Sequence, residues 1–264
     1  QGVPKHLLGT VLTFEYNDFR RLKKLVEEND ISIVKMEVMR SIEPKDSFLQ
    51  KVRKLCDDKG IVLIFDECTS GFRENYGGLH IKYGVNPDIA IFGKALGNGY
   101  AVTAIVGRKK IMQSAQSTFI SSTFWTERIG SVAGLKTLEV MQKQKAWKEI
   151  TEKGQFLQSK WKDIFEKFGF DYKILGLPSL SSFVFKDSDF LKYKTYITQE
   201  LLKKNILSSN IIYLCTEHKK EIIERYIDEF ELIISKISSI KELNKNIDDY
   251  LEVPVCHTGF KRLN

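Results

Sequence analysis

The run Ile61-Val62-Leu63-Ile64-Phe65 stops abruptly at Asp66-Glu67, and Ile89-Ala90-Ile91-Phe92 stops as abruptly at Gly93-Lys94. Unbroken apolar runs this short are expected of strands covered on both faces, the kind found in the parallel sheets of α/β proteins. From Phe14 to Val106 such runs alternate with amphipathic stretches. Ile31 to Val38 reads as an earlier strand and Val102 to Val106 as a later one. The crossover from Val38 to Ile61 is long enough for a helix, so the strands are expected to be parallel neighbours or near neighbours. Asp18 can cap a helix with Phe19, Leu22, Leu25 and Val26 on one face. A second helix carries Phe48, Leu49, Val52, Leu55 and Cys56 on one side and stops at Gly60. The fold class is therefore α/β. In open parallel sheets the ligand crevice lies beyond the carboxyl ends of the strands, where Asp66 and Lys94 both fall.

Beyond the Ser/Thr-rich segment Ser117 to Thr126, a long helical pattern runs from about Glu127 to about Phe168, with Val132, Leu135, Leu138 and Met141 on one face. The texture then changes. Strands are expected around Ser182 to Phe185 and Ile211 to Leu214, with a helix from Tyr193 to Lys204 between them. A closing helix carries Ile222, Ile223, Tyr226, Ile227, Phe230, Ile233, Ile234 and Ile237. These patterns predict a large domain over residues 1–148 and a small α+β domain over 149–264, with the long helix as the joint.

Length and composition bound the alternatives. The chain has 264 residues, 42% apolar and 28% charged, enough to bury a real core. Its net charge of +7 comes from lysines interleaved with acids on amphipathic stretches, so a solvated surface is expected and not a nucleic-acid face. No stretch approaches the roughly 18 apolar residues of a membrane span, and the start of the chain lacks the blocks of a signal peptide. Cys56, Cys68, Cys215 and Cys256 form no CxxC pair, and the four histidines lack metal-ligand spacing. A cytoplasmic protein with reduced thiols and no metal is expected.

Singly, an aspartate at a strand end caps a turn and a lysine there lies on the surface. Together the two can grip opposite ends of one small planar ligand, because neighbouring strands lie about 4.7–4.9 Å apart. Pyridoxal 5'-phosphate (PLP) requires that pair: a carboxylate keeps its ring nitrogen protonated, and a lysine forms a Schiff base with its aldehyde. Gly93, Gly97 and Gly99 are expected to let the backbone approach such a cofactor closely.

Ile64-Phe65-Asp66-Glu67-Cys68-Thr69-Ser70-Gly71-Phe72-Arg73, then Pro87-Asp88, then Phe92-Gly93-Lys94-Ala95-Leu96-Gly97-Asn98-Gly99, resembles the core of a class III PLP-dependent aminotransferase, within it the glutamate-1-semialdehyde 2,1-aminomutase-like branch. The likeness extends from Gly2-Val3-Pro4 to the tail His257 to Leu263. It implies a fold-type-I transferase with a mainly parallel sheet and a small α+β C-terminal domain. It makes Lys94 the Schiff-base lysine and Asp66 the partner of the pyridinium nitrogen. Cys68 takes the place of a small apolar residue against the ring, and Thr69 falls near the phenolic oxygen. Thr123 matches a threonine that reaches the cofactor phosphate of the other subunit, which implies a homodimer with shared sites.

The implied reaction is a transamination between a small-molecule amino donor and a carbonyl acceptor. An aminomutase would use the same groups on one substrate. The chain departs from the aminomutase pattern at Glu37-Val38, Leu96 to Tyr100 and Thr126-Glu127-Arg128, which bears on that reaction more than on the cofactor. A further reading is a catalytically incomplete fragment acting as a binding or dimerisation module. It is motivated by the family's N-terminal phosphate-binding and ring-stacking segment, which precedes the part resembled here.

Overall fold

Helix α1 (Phe19–Glu28) starts where the Asp18 carboxylate accepts the Arg21 amide at 2.9 Å, satisfying one of the free donors of a first turn. This computed structural model describes residues 4–123 and 125–258. Strand β1 (Ile33–Met36) leads to α2 (Phe48–Lys59), which ends on Gly60 at φ 67°, a left-handed cap suited to glycine. Strands β2 (Val62–Asp66), β3 (Ile89–Phe92) and β4 (Ala104–Gly107) complete a sheet of order β1-β2-β3-β4. The first three are parallel. Strand β4 is antiparallel to β3, which corrects the parallel expectation for Val102 to Val106. Only residues 93–103 join the two, and a parallel crossover takes about a dozen residues or more.

The two-residue period of the strands sorts the sheet into unlike faces. Val34, Met36, Leu63, Phe65, Ala90 and Phe92 are buried on one face. Helix α2 packs on β2 and on α1, and contributes buried Phe48, Leu49 and Val52. Ile33, Lys35, Val62, Ile64, Asp66 and Ile89 lie on the other face. There Ile33 is 55% exposed, Val62 and Ile64 are half-buried, and an apolar cavity of about 1220 Å³ extends to residues between 100 and 122 and between 125 and 131. The two-sided burial expected of β2 is therefore one-sided among the described residues.

After the short helix α3 (Lys109–Met112), α4 (Ile129–Gln144) buries Gly130 and Gly134, not the apolar stripe anticipated for it. A Cβ at Gly130 would sit 2.7 Å from the Ala101 carbonyl oxygen, so the missing side chain is what lets the helix lie on this backbone. Leu138 and Met141 still pack against Phe72, Phe92 and Leu96, but Val132 and Leu135 turn outward, 63% and 69% exposed. The helix also stops short. Lys145 takes φ 53°, a left-handed value that breaks the helical ladder, and α5 (Ala146–Lys167) begins anew. The chain divides into two compact units between Gln144 and Lys145.

The second unit pairs α5, α6 (Phe190–Lys203) and α7 (Lys220–Glu242) with an antiparallel sheet of β5 (Tyr172–Leu175), β6 (Leu180–Phe185) and β7 (Ile211–Tyr213). Its core is aromatic: Trp161 meets Phe183 edge-on at 5.0 Å, and Phe165 meets Phe185 edge-on at 4.9 Å. Such pairs add about 0.5–1.5 kcal/mol beyond area burial. The buried indole Nε1 donates to the Tyr226 hydroxyl at 3.0 Å, so neither polar tip is stranded. Of the anticipated α7 stripe all but Ile222 is buried. In α5, Gly154 faces Pro178 so closely that a Cβ would lie 1.9 Å from its carbonyl oxygen. Gly154→Ala gains roughly 1 kcal/mol of helix propensity but must displace backbone, so a net loss of about 2–3 kcal/mol is expected in urea unfolding. An unchanged midpoint would contradict this packing.

Candidate active site

Because β2 and β3 are parallel neighbours, their carboxyl ends lie side by side, with Asp66 opposite Ile91 in the register. Asp66 closes β2, and Lys94 follows β3 by two residues. Between them the chain leaves β2 in a tight loop. The Glu67 amide still donates to the Ile91 carbonyl at 2.8 Å, and the Cys68 amide turns back to Asp66 Oδ1 at 3.2 Å. Thr69 then points across to β3, where the Lys94 ammonium donates to its hydroxyl at 2.9 Å. Gly93 makes room for this: a Cβ there would press on Cys68 Sγ at 3.3 Å and on Thr103 at 3.4 Å. Lys94 itself sits at φ 46°, a strained value for a residue with a side chain.

The loop is held by Glu67, whose side chain is wholly buried. Its carboxylate accepts from Ser70 Oγ at 2.5 Å, the Leu79 amide at 3.0 Å and the His80 amide at 2.9 Å, and meets His80 Nδ1 at 2.8 Å. An ionised carboxylate out of water is tolerated only with this many donors. The electrostatics follow the contacts. Burial would raise the Glu67 carboxyl, but these donors hold it below the usual range. Burial likewise opposes ionisation of Asp66, and the Lys35 ammonium and the Cys68 amide outweigh it, leaving Asp66 low. Burial and the adjacent Asp66 charge push the Cys68 thiol up, so it stays protonated.

A family model described as aminotransferase class-III matches residues 17–211. The chain belongs to the class-III aminotransferases. It is 31% identical over 256 residues to a 3-aminobutyryl-CoA aminotransferase of Cloacimonas acidaminovorans (strain Evry), covering 92% of this chain and 61% of that one. It is 34% identical over 211 residues to a glutamate-1-semialdehyde 2,1-aminomutase of Chlorobium limicola, covering 76% and 49%. The fold is shared with the FumI protein of Sphingopyxis sp. MTA144, at TM-score 0.81 and 21% identity over 88% of this chain and 58% of that one. It is shared also with an omega-transaminase from Sphaerobacter thermophilus, at TM-score 0.78 and 23% identity over 89% and 59%. The chain spans about half to three fifths of the length of these relatives.

In this class-III chain the fold gathers Asp66, Cys68, Thr69 and Lys94 within one loop and one strand end. Thr123 is exposed in a turn ahead of α4, and no hydrogen bond of the described residues ties it to Asp66 or Lys94. Gly97 differs from expectation: a Cβ there would strike the Tyr100 carbonyl oxygen at 2.1 Å, so this glycine serves the turn after Lys94. Two residues escaped the sequence reading. Lys35 reaches Asp66 Oδ2 at 2.9 Å, a pairing that needs the β1–β2 register to be known. Glu67 had a visible signal in its place beside Asp66 after an apolar run, but its donors lie up to 13 residues away.

Glu67→Gln replaces an acceptor-only carboxylate with an amide whose NH2 faces a backbone donor in either orientation, the Leu79 amide or the His80 amide. A loss of about 2–3 kcal/mol is expected at neutral pH. Since folding lowers this carboxyl from its ordinary 4.5, its contribution is complete above that pH and disappears as pH falls through the folded value. Urea unfolding of both proteins should therefore show a stability gap at neutral pH that closes on acidification below 4.5. A gap that is constant with pH would refute the ionised clamp.

Proposed function

We propose that this chain carries the lysine and the carboxylate of a PLP-dependent transaminase, which moves an amino group between a small-molecule amino donor and a carbonyl acceptor. The observation that carries the reading is the pair Asp66 and Lys94 at neighbouring parallel strand ends, with Thr69 already holding the Lys94 ammonium. The residues fit the cofactor: an ionised carboxylate for a ring nitrogen, an exposed amine for an aldehyde, and a protonated thiol between them. FumI, similar in fold, is described in a PLP-bound form.

When bound, PLP supplies an electrophilic aldehyde carbon and a protonated ring that draws electrons from the reacting carbon. Asp66 would hold the proton on the ring nitrogen through a charge-assisted hydrogen bond, in an orientation set by the Cys68 amide. Lys94 Nζ would be the nucleophile toward the aldehyde and, once freed, the base that takes a proton from the substrate carbon bearing the amino group. Thr69 Oγ1 directs that nitrogen, and Cys68 packs between the two strand ends. The similarity to the Chlorobium limicola aminomutase favours a second reading, in which the same groups act on one substrate throughout.

Thr123 would complete the phosphate site of a second copy, so a homodimer is part of the proposal. A cytoplasmic setting accords with four free cysteines. Among the described residues no helix is long and apolar enough to cross a membrane.

The test is trapping. The chain is incubated with PLP, reduced with borohydride and digested, and mass spectrometry should place a pyridoxyl group on the peptide holding Lys94. Lys94→Ala should remove it. Asp66→Asn should keep the site of trapping but weaken PLP binding about 10-fold or more, since a hydrogen bond to a charged group contributes roughly 1.5–3 kcal/mol. A folded chain that traps nothing at saturating PLP would instead support the binding or dimerisation module.

A further inference from the structure

Lys35 and Asp66 are the only ionisable residues in strands β1 to β4. Both stand on the open, otherwise apolar face. Lys35 pairs in register with Ile64, so its side chain rises from the neighbouring strand two residues short of Asp66 and leans along the strand to meet it. The two oxygens of Asp66 are thus taken from different sides, Oδ1 by the Cys68 amide at 3.2 Å and Oδ2 by the Lys35 ammonium at 2.9 Å. On the other flank of β2, Lys94 is engaged with Thr69. The central carboxylate therefore already has a full cationic partner that is not the proposed catalytic lysine.

We propose that Lys35 is a tuning residue for Asp66: its ammonium shares the carboxylate and so weakens the hold of Asp66 on a protonated ring nitrogen. This rests on the PLP reading of Asp66. A pyridinium brought to the same carboxylate is a second cation placed close to the first, so the two repel while competing for one negative charge. Lys35 is not needed to keep Asp66 ionised. An ordinary aspartate is already deprotonated at neutral pH, and the Cys68 amide remains. The Lys35 side chain is 55% exposed, so solvent screens the effect and it stays modest. The expected size is about 2- to 5-fold in affinity, the upper part of the range of an exposed ion pair. Chains of this class that differ at position 35 would accordingly hold the same cofactor with different strength.

The experiment is an equilibrium titration of the 264-residue chain with two probes. One is PLP and the other is its 1-deaza analogue, in which a C–H replaces the ring nitrogen. Lys35→Met removes the charge at similar length, and Lys35→Arg keeps it. Lys35→Met should bind PLP about 2- to 5-fold more tightly than wild type while its affinity for the analogue is unchanged. Lys35→Arg should match wild type with both probes, and added salt should narrow the gap between wild type and Lys35→Met for PLP. The inference is overturned if Lys35→Met leaves PLP affinity unchanged or weaker, or shifts both probes alike, as a purely structural effect would. Each of those outcomes spares the cofactor reading. A folded wild-type chain that binds neither probe removes that reading, and the role of Lys35 with it.

Discussion

A carboxylate buried out of reach of water must be given donors, and Glu67 obtains them by folding the chain around itself. The hydroxyl of Ser70, the amides of Leu79 and His80 and the His80 ring all turn to it. Satisfying that charge pins residues 67–70 to residues 79–80 and leaves the intervening turn little freedom. Gly71 fits only because it lacks a Cβ, which would meet the Glu67 carbonyl oxygen and the Phe92 ring at 2.7 Å. Asp66 and Thr69 lie on either side of the clamp, so their reach toward Lys35 and Lys94 is inherited from it. The polar chemistry at the edge of the sheet is thus organised by a group that touches none of the reacting atoms proposed here.

The sheet separates support from chemistry. One face, with Leu63 and Phe65, is sealed beneath α2 and supplies the rigidity. The other carries Asp66 and Lys35 over apolar neighbours, where a charge keeps more of its strength than in open water. Asp88 ties the opposite end of the same strands together: its carboxylate accepts the Leu63 amide and pairs with Arg53 and Arg108. Two anchored acids, Glu67 at the carboxyl ends and Asp88 near the amino ends, bracket the parallel strands. The second unit is stabilised separately by its own aromatic core around Trp161 and Phe165.

Much of this was legible beforehand where the cause is local. The Asp18 cap, the Gly60 stop and the buried stripes of α1 and α2 depend on residues within a few positions of one another, and they lie where the pattern puts them. Asp66 and Lys94 were marked by apolar runs that end in chemistry and Thr69 by the family resemblance alone; Asp66 and Lys94 follow neighbouring parallel strands, and Thr69 meets Lys94. The misreadings share a different origin. Strand β4 runs antiparallel because its connection is short, and Val132 and Leu135 face outward because Gly130 docks α4 on the Ala101 backbone and Gly134 faces Val102 and the Leu96 carbonyl. The helical pattern ran unbroken through Lys145, since neither glycine nor proline announces the left-handed residue there. Each outcome was decided by what lies across from the residue in space.

Apolar periodicity, caps and the charged ends of the β2 and β3 runs determine the α/β class and point to Asp66 and Lys94, because these signals act over a few residues of backbone. Register, strand direction and the choice of face belong to the tertiary structure, because they depend on which segments far apart in the chain come into contact. Lys35 shows the difference most plainly. In the sequence it is one lysine inside an apolar strand; only parallel pairing of β1 with β2 makes it the partner of Asp66.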